Sequence, residues 1–311
     1  MKFLFLMDPL ETVVFEKDTT FMLMLESQRR GHEVYFLPED GISLEEGKLY
    51  FQATKVKPQL IVEEPFLVEM PTRLSQEDIH AVFVRPDPPF DEQYLMNTWL
   101  LDQLPKNIAV MNNPTGIRTV NEKVWSAQFT EITPTTIVSA NKTELLNFIN
   151  KHKNVIAKPT NSFGGQSVFQ VQAGDTNTNV ILETMSKDYY EAIILQKYVP
   201  EAQKGDKRIL LLNGEALGAV LRVHAPGEHR NNFFAGGKPV ATTISTREEY
   251  IIELLKPHLQ KLGLYFVGID ILGDYLIEVN VTSPTCLQEM NRLYNQHLEE
   301  KVIDFVEKLI Q

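Results

Sequence analysis

The sequence holds a single cysteine, Cys286, in 311 residues. That excludes an intramolecular disulfide and any cysteine-rich zinc site, and it suits a reducing compartment. Positive charge is also short: 30 Lys and Arg stand against 41 Asp and Glu, a formal net charge of −11. General nucleic-acid or anionic-membrane binding needs concentrated cations, so neither partner is expected, and any anionic ligand must be met by a local basic pocket. No apolar run approaches the roughly 20 residues that cross a bilayer. The opening "MKFLFLMDPLETVVF" lacks a small-residue cleavage site and reads as a strand. There is no fixed-period repeat and no low-complexity tract. With 43% hydrophobic and 23% charged residues, the composition is that of an ordinary globular chain, long enough for two or three packed units. A soluble cytoplasmic protein is expected.

What is present has the punctuation of α/β structure. "KFLFLMDP" is a short apolar strand that stops at Asp8-Pro9, "TTFMLMLESQRRG" is an amphipathic helix closed by Gly31, and "HEVYFL" is the next strand. "AVFV" ends at Arg85 and a proline-rich turn, and "IAVMNNPTGIR" gives a strand stopping at Asn113-Pro114. Ligands collect where strands of open α/β sheets stop, so Asp8 and Arg85 are candidate substrate contacts on a unit spanning residues 1–120. From Asn121 the pattern is mixed α+β: "NEKVWSAQFTEI" as a helix, "PTTIVS" as a strand, and a helix from Asn141 with Glu144 at the capping-box position. "NVIAKP" and "QSVFQVQ" are strands around the turn "TNSFGG", in a second unit spanning 121–200. The third, 201–311, carries strands "KRILLL" and "EALGAVLRV", a helix from about Thr246, and a hairpin near its end.

That hairpin, "YFVGIDILGDYLIEVNVTSPTC", embeds three oxygen ligands in an aliphatic run. A two-residue turn at Gly273-Asp274 pairs Asp270 with Ile277 and Ile269 with Glu278, mixing carboxylates and aliphatics on both faces. A three-residue loop, Gly273 to Tyr275, instead pairs Asp270 with Glu278 and Gly268 with Asn280. It leaves Ile271 opposite Ile277, Ile269 opposite Val279 and Val267 opposite Val281 on a purely aliphatic face. The better-separated pattern is expected. Two carboxylates and an amide oxygen on one face can surround a hard cation such as magnesium, with no histidine or thiol to favour zinc. A solvated outer face explains the same alternation, and the hairpin alone leaves the two open.

Elsewhere, Lys158 ends an apolar strand before Ser162, Gly164 and Gly165, where backbone N–H groups could approach phosphate; a plain hairpin turn accounts for the glycines equally. The stretch is neither a Walker loop nor a dinucleotide fingerprint. Gln196, Lys197, Tyr198 and Val199 follow another apolar strand, where a backbone edge could meet a purine, and Asp206 lies a few residues on. Arg208 and Arg222 flank Asn213-Gly214; a strict two-residue turn sends them to opposite faces, so a bulge or longer turn is required if both serve one site.

In this order, Asn121-Glu122-Lys123, Lys158-Pro159 with Gly164-Gly165, Gly205-Asp206-Lys207-Arg208 and "FVGIDILGDYLIEVNVTSPT" resemble the ATP-grasp ligases and, among them, the bacterial glutathione synthetases. "MDP" at 7–9, "KDTTFMLMLESQRRG" at 17–31, "DPPFD" at 87–91 and "EVNVTSPT" at 278–285 fit the same pattern, over nearly the whole chain. The resemblance implies an ATP-grasp fold behind an N-terminal open α/β domain. It also implies ATP and magnesium as cofactors, with manganese as the alternative metal, and ligation of γ-glutamylcysteine to glycine in a homo-oligomer. It implies phosphate contacts from Lys123 and Lys158 under a flap at Ser162, Gly164 and Gly165, an adenine hinge at Gln196 to Val199, and a ribose contact from Asp206. It further implies metal ligands Asp270, Glu278 and Asn280, arginines Arg208 and Arg222 near an acyl phosphate, and substrate contacts at Ser283 and Thr285. A loop from His224 to Lys238 with Arg230, Asn231 and Asn232 would shield the intermediate. Three departures stand out: Thr160-Asn161-Ser162 in place of the usual Leu-Asp-Gly, Pro86 where lysine is common, and Asn113 where lysine is common. A ligase for another acid or amine and a regulator that has lost catalysis are the competing readings. Cys286 beside the substrate strand end is read as packing, since an acyl-phosphate mechanism needs no thiol nucleophile.

Overall fold

The computed structural model of the chain describes residues 1–162, 164–224 and 237–310. Three sheets carry the fold. The first is built on β1 (Lys2–Leu6), whose KFLFL run is buried from Phe3 onward because it lies in mid-sheet with both faces covered. It pairs in parallel with β2 (Glu33–Leu37) and β6 (Ala81–Val84), and β6 pairs in parallel with β7 (Ala109–Met111). Beyond β2 the sheet turns antiparallel through β3 (Ile42–Glu45), β4 (Lys48–Pro58) and β5 (Phe66–Ser75), a ribbon the sequence reading did not resolve.

Helix α1 (Thr19–Arg29) starts where Asp18 Oδ1 accepts the Phe21 N–H at 2.6 Å, and Gly31 follows it with φ +82°. Helices α2 (Glu92–Leu101) and α3 (Pro114–Thr119) are capped by Asp91 and Asn113 in the same way. Asn113, one of the departures from the family pattern, is therefore a helix cap.

The second sheet runs β10-β9-β11-β8 from β8 (Thr136–Ser139), β9 (Asn154–Pro159), β10 (Phe169–Gln172) and β11 (Ile193–Lys197), all antiparallel. Helices α4 (Lys142–His152) and α5 (Thr178–Met185) close its own core around Leu145, Val155, Leu182 and Leu195. Two expectations fail here. Asn121 to Ile132 is not a helix. Asn121 Oδ1 accepts from the N–H groups of Lys123 and Val124, leaving one 3-10 turn at Trp125–Gln128, and the Glu122 carbonyl takes the Val279 N–H at 2.9 Å. Tertiary bonding to the hairpin wins over helical periodicity. Nor does Glu144 complete a capping box, because Ser139 Oγ takes the Asn141 N–H and donates to Glu144 instead.

The third sheet, β14-β13-β12-β15-β16, comprises β12 (Asp206–Leu212), β13 (Glu215–Val223), β14 (Lys238–Val240), β15 (Phe266–Leu272) and β16 (Tyr275–Asn280). Its two central hairpins solve a register problem identically. β15 and β16 join through Gly273-Asp274 with Leu272 opposite Tyr275, so the expected three-residue loop is absent. A bulge past Ile271 restores the separated pattern: Asp270 faces Glu278, Ile269 faces Val279 and Gly268 faces Asn280, while Ile271 faces Leu276 rather than Ile277. In β12–β13 a bulge between Leu210 and Leu211 places Asp206 opposite Arg222 and Arg208 opposite Val220, which brings both arginines to one face.

Helix α6 (Thr246–Lys261) begins in a complete capping box between Ser245 and Glu248 and packs Ile251, Leu255 and Leu259 into a core shared with Leu4, Leu6, Ile269 and Val279. After α7 (Leu287–Tyr294), α8 (Leu298–Ile310) returns to the first sheet, packing Val302 and Val306 with Phe3 and Phe5 and pairing Asp304 and Glu307 with Arg30. Among the described residues no helix is long and apolar enough to cross a membrane.

Candidate active site

A cavity of about 460 Å³ opens between the second and third sheets. Its roof comes from β9 and the turn after it, Lys158 with Gly164 and Gly165, and one wall from Gln196, Lys197, Tyr198 and Val199 at the end of β11. Its floor is the polar face of β12, β13, β15 and β16. Lys123 enters from the Asn121 turn, and Ser283 and Thr285 enter from the segment after β16.

The floor is a buried charge network. Arg208 grips Asp270 with two N–H groups, Nη2 lying 2.9 Å from Oδ2. Arg222 bonds Asp206 through Nε at 3.0 Å and through Nη2, which also lies 2.9 Å from Asp270 Oδ2. Two guanidiniums and two carboxylates thus balance on the buried floor of the cavity, and mutual pairing is the condition under which buried ions are tolerated. Burial alone would push the Asp270 carboxyl up; Arg208 and Arg222 outweigh it and hold the group well below the usual carboxylate range. Gly205 precedes this network with φ +111°, and a Cβ there would lie 2.4 Å from the Arg222 carbonyl oxygen, so only glycine fits.

The roof is the opposite case. Lys158 is 5% exposed, yet among the described residues its Nζ has only long contacts, 3.4 Å to Gln196 Oε1 and 3.5 Å to the Ile277 carbonyl. Burial pushes its pKa down, with the Glu278 charge opposing. A buried ammonium without an ion-pair partner is costly, and an anion delivered to the cavity supplies what is missing. Lys123 Nζ is closer to a partner, bonded to the Ser162 carbonyl and 3.9 Å from Glu278 Oε1.

Glu278 and Asn280 stand beside Asp270 on the same face. Asn280 Nδ2 donates to the Gly268 carbonyl at 3.2 Å, which fixes the amide and leaves Oδ1 as an acceptor. Among the described residues no three His, Cys, Asp or Glu side chains gather into a metal cage. Two carboxylates and one amide oxygen are the donor set that fits a hard divalent cation completed by phosphate oxygens and water.

Not every anticipated residue lines this cavity. Ser162 lies outside its wall and contributes its carbonyl to Lys123, while its own Oγ is buried without a partner among the described residues. Asp8 and Arg85 line a second, small cavity of about 50 Å³, which Ser283 also borders. Arg230, Asn231 and Asn232 lie outside the described residues.

Sequence reasoning missed the clamps that hold the substrate end in place. Glu122 Oε1 accepts three hydrogen bonds, from the N–H groups of Val281 and Thr282 and from Thr282 Oγ1, at 2.8, 3.1 and 2.9 Å. Asn112 Nδ2 donates to the carbonyls of Phe266 and Val281, and its Oδ1 accepts the Phe266 N–H. Arg85 Nη2 donates to the Pro284 carbonyl. The available signal was a carboxylate beside a cation in Glu122-Lys123 that a helical reading disposed of too early. Cys286 borders the cavity with 1% exposure, and burial pushes its thiol up, so it is no ready nucleophile.

Residues 1–118 match the prokaryotic glutathione synthetase N-terminal domain, and residues 122–295 match the ATP-grasp domain of the same enzymes. The chain is 39% identical over 318 residues to a glutathione synthetase of Synechocystis, covering 99% of both chains. It is 36% identical over 302 residues to a glutathione synthetase of Pseudomonas aeruginosa, covering 96% of this chain and 95% of that one. Among solved structures it superimposes with a TM-score of 0.68 on a D-cycloserine synthetase at 12% identity, covering 99% of each chain. The TM-score is 0.66 against an ATP-grasp ligase of Chryseobacterium gregarium at 17% identity, covering 99% of this chain and 97% of that one. The latter two likenesses concern the fold, which is the ATP-grasp fold. Full-length identity and both matched domains together establish that this chain belongs to the prokaryotic glutathione synthetase family.

Proposed function

We infer that the protein is an ATP-dependent ligase that joins γ-glutamylcysteine to glycine and releases glutathione, ADP and phosphate. Within the family identity, the observation that carries this reading is the pairing across one cavity of a buried Lys158, without an ion-pair partner among the described residues, with an oxygen-donor hairpin face and two guanidiniums. The reaction needs a cationic grip on phosphates and a divalent-metal site. It also needs donors for a developing oxyanion.

We assign Lys123 and Lys158 to the ATP phosphates, with Ser162, Gly164 and Gly165 covering them, and Gln196 to Val199 to the adenine. Asp270, Glu278 and Asn280 would hold the divalent cation, magnesium in preference to manganese; when bound it draws charge from the phosphates being transferred. The donor's cysteinyl carboxylate attacks the γ-phosphorus and ADP leaves. The glycine amine then attacks the acyl carbon, phosphate leaves, and the nitrogen gives up its proton. Arg208 and Arg222 face the oxyanion formed in that second step, and Ser283 and Thr285 border the peptide. Asp206, which lines the cavity and whose carboxylate holds Arg222, is assigned to the ribose. The three sheets support a division at 1–120, 121–200 and 201–311, with α8 of the last unit docked on the first. We further propose a cytoplasmic homo-oligomer.

The test is magnesium-dependent ADP release with γ-glutamylcysteine, with and without glycine, and with alanine or serine replacing each partner residue. Release that requires both substrates, with glutathione formed in matching amount, is expected. Release only with another acid or amine would keep the ligase and discard these substrates. Nucleotide binding without turnover would point to a protein that has lost catalysis.

A further inference from the structure

Resting on the ligase reading above, we propose that Glu122 is a positioning residue. It holds the segment that borders the peptide, residues 281–285, in register with the oxygen-donor face and the phosphate lysines. Without it, the acyl phosphate forms out of place and is lost to water.

The segment from Val281 to Thr285 lies between β16 and α7 without regular structure. An irregular stretch has no ladder to answer its backbone groups, so side chains must do it. Glu122 Oε1 takes the N–H groups of Val281 and Thr282, Asn112 Nδ2 donates to the Val281 carbonyl, and Arg85 Nη2 donates to the Pro284 carbonyl. Thr282 Oγ1 adds a third bond to Glu122 Oε1 at 2.9 Å. Asn112 and Arg85 reach the segment from the strand ends of the first sheet. Of the three side chains, Glu122 alone lines the larger cavity.

Glu122 also sits in a tripeptide that reaches the other parts of that cavity. Its own carbonyl takes the Val279 N–H at 2.9 Å, between Glu278 and Asn280. Before it, Asn121 Nδ2 donates to the Thr160 carbonyl at 3.1 Å. After it, Lys123 Nζ bonds the Ser162 carbonyl and lies 3.9 Å from Glu278 Oε1. Three consecutive residues thus tie the turn over the phosphates, the oxygen-donor strand and the peptide segment to one another.

These ties are separable. Asn121 Oδ1 closes the turn by accepting from the N–H groups of Lys123 and Val124, and the main-chain bond to Val279 does not involve the Glu122 side chain. The carboxylate is therefore committed to the peptide segment alone, and among the described residues it makes no ion pair within 4.0 Å. Burial pushes its carboxyl up against the pull of the three donors. A neutral amide with its oxygen in the same place can accept the same three bonds, whereas removing the side chain strands two N–H groups on buried residues.

The consequence falls on the second chemical step. The glycine nitrogen attacks the acyl carbon, the C–N bond forms, the C–O bond to phosphate breaks with its electron pair on the phosphate, and the nitrogen gives up a proton. Water attacking in place of the amine returns γ-glutamylcysteine and phosphate, with ATP converted to ADP and no glutathione made. A displacement of about 1 Å is enough to cost roughly 100-fold in the productive step.

Initial rates of ADP release and of glutathione formation are to be measured side by side for the parent, Glu122→Gln, Glu122→Asp and Glu122→Ala, with ATP, magnesium, γ-glutamylcysteine and glycine saturating. The parent should form ADP and glutathione in equal amount. Glu122→Ala should slow glutathione formation about 10- to 100-fold and release ADP in excess of it, with the KM for ATP near the parent value because Lys123 and Lys158 are untouched. Glu122→Asp keeps the charge but withdraws the oxygens by one methylene, and should be uncoupled in the same direction. Glu122→Gln should return toward the parent in both rate and product ratio. A ratio of products does not depend on how much of the chain is folded, so a purely structural role would leave it at parity. If Glu122→Ala does not fold, the contrast between Gln and Asp carries the test. Parity of ADP and glutathione in Glu122→Asp, or Glu122→Gln as uncoupled as Glu122→Asp, would overturn the assignment while leaving the ligase intact. No turnover of the natural pair by the parent would overturn the ligase reading and this one with it.

Discussion

Lys158→Met should make the free protein more stable and its grip on ATP weaker, an opposition that an ordinary core substitution does not produce. Methionine keeps the length and flexibility of the lysine stem and removes a buried charge whose contacts lie at 3.4 and 3.5 Å. Desolvation of an ammonium costs several kcal/mol and two long hydrogen bonds return only part of it. The nucleotide-free variant should therefore gain about 1–3 kcal/mol. In the complex the lost charge-assisted contact to phosphate removes about 1.5–3 kcal/mol, which is roughly 10- to 100-fold in ATP affinity. Because burial lowers the Lys158 pKa from its ordinary 10.5, the penalty is fully present below the folded-state pKa. It is relieved as pH rises toward 10.5, so the variant's advantage should narrow over that alkaline range. Thermal unfolding without nucleotide, at pH 7 and at stepwise higher pH, is paired with titration by ATP and magnesium. A variant less stable than the parent without nucleotide, or one binding ATP undiminished, would refute the view of Lys158 as a charge awaiting phosphate.

Asp270→Asn strands the buried Arg208 guanidinium, leaves Arg222 with Asp206 alone, and should cost about 3–5 kcal/mol in addition to abolishing ADP release. Since the folded Asp270 carboxyl lies well below its ordinary 3.8, its contribution is present above pH 3.8 and lost only as pH falls below that. The gap in unfolding temperature between parent and variant should hold from neutral pH to about 4 and close in stronger acid. Gly205→Ala puts a Cβ 2.4 Å from the Arg222 carbonyl oxygen at φ +111° and should cost about 1–3 kcal/mol by thermal unfolding. ADP release should fall with it, because the strand that shifts carries Arg222.

Local pattern and composition were enough for much of this molecule. The apolar runs ending at Asp8 and Arg85, the helices starting at Thr19 and Asn141, and the alternation that puts Asp270, Glu278 and Asn280 on one face are short-range properties. A chain segment declares them by itself. Chain order of the motifs also placed the family before any coordinate did. Register was legible only as a requirement. The sequence demanded that Arg208 and Arg222 share a face and that carboxylates separate from aliphatics, and two bulges met those demands where a three-residue loop was expected for the second. Bulges escape sequence reading because the energy that selects them is the burial of whole faces against other elements.

The tertiary structure alone decided how charges are partnered. Nothing local says that Asp206 takes Arg222, that Asp270 is shared by two guanidiniums, or that Lys158 has no counter-ion among the described residues, since those contacts join residues 16 to 119 positions apart. Glu122 shows the same limit in reverse: helical periodicity claimed it, and three donors 159 and 160 residues away overruled that claim. A buried hydrogen bond to a charge outweighs the few tenths of a kcal/mol by which one residue prefers a helix, and only the folded chain brings such donors within reach.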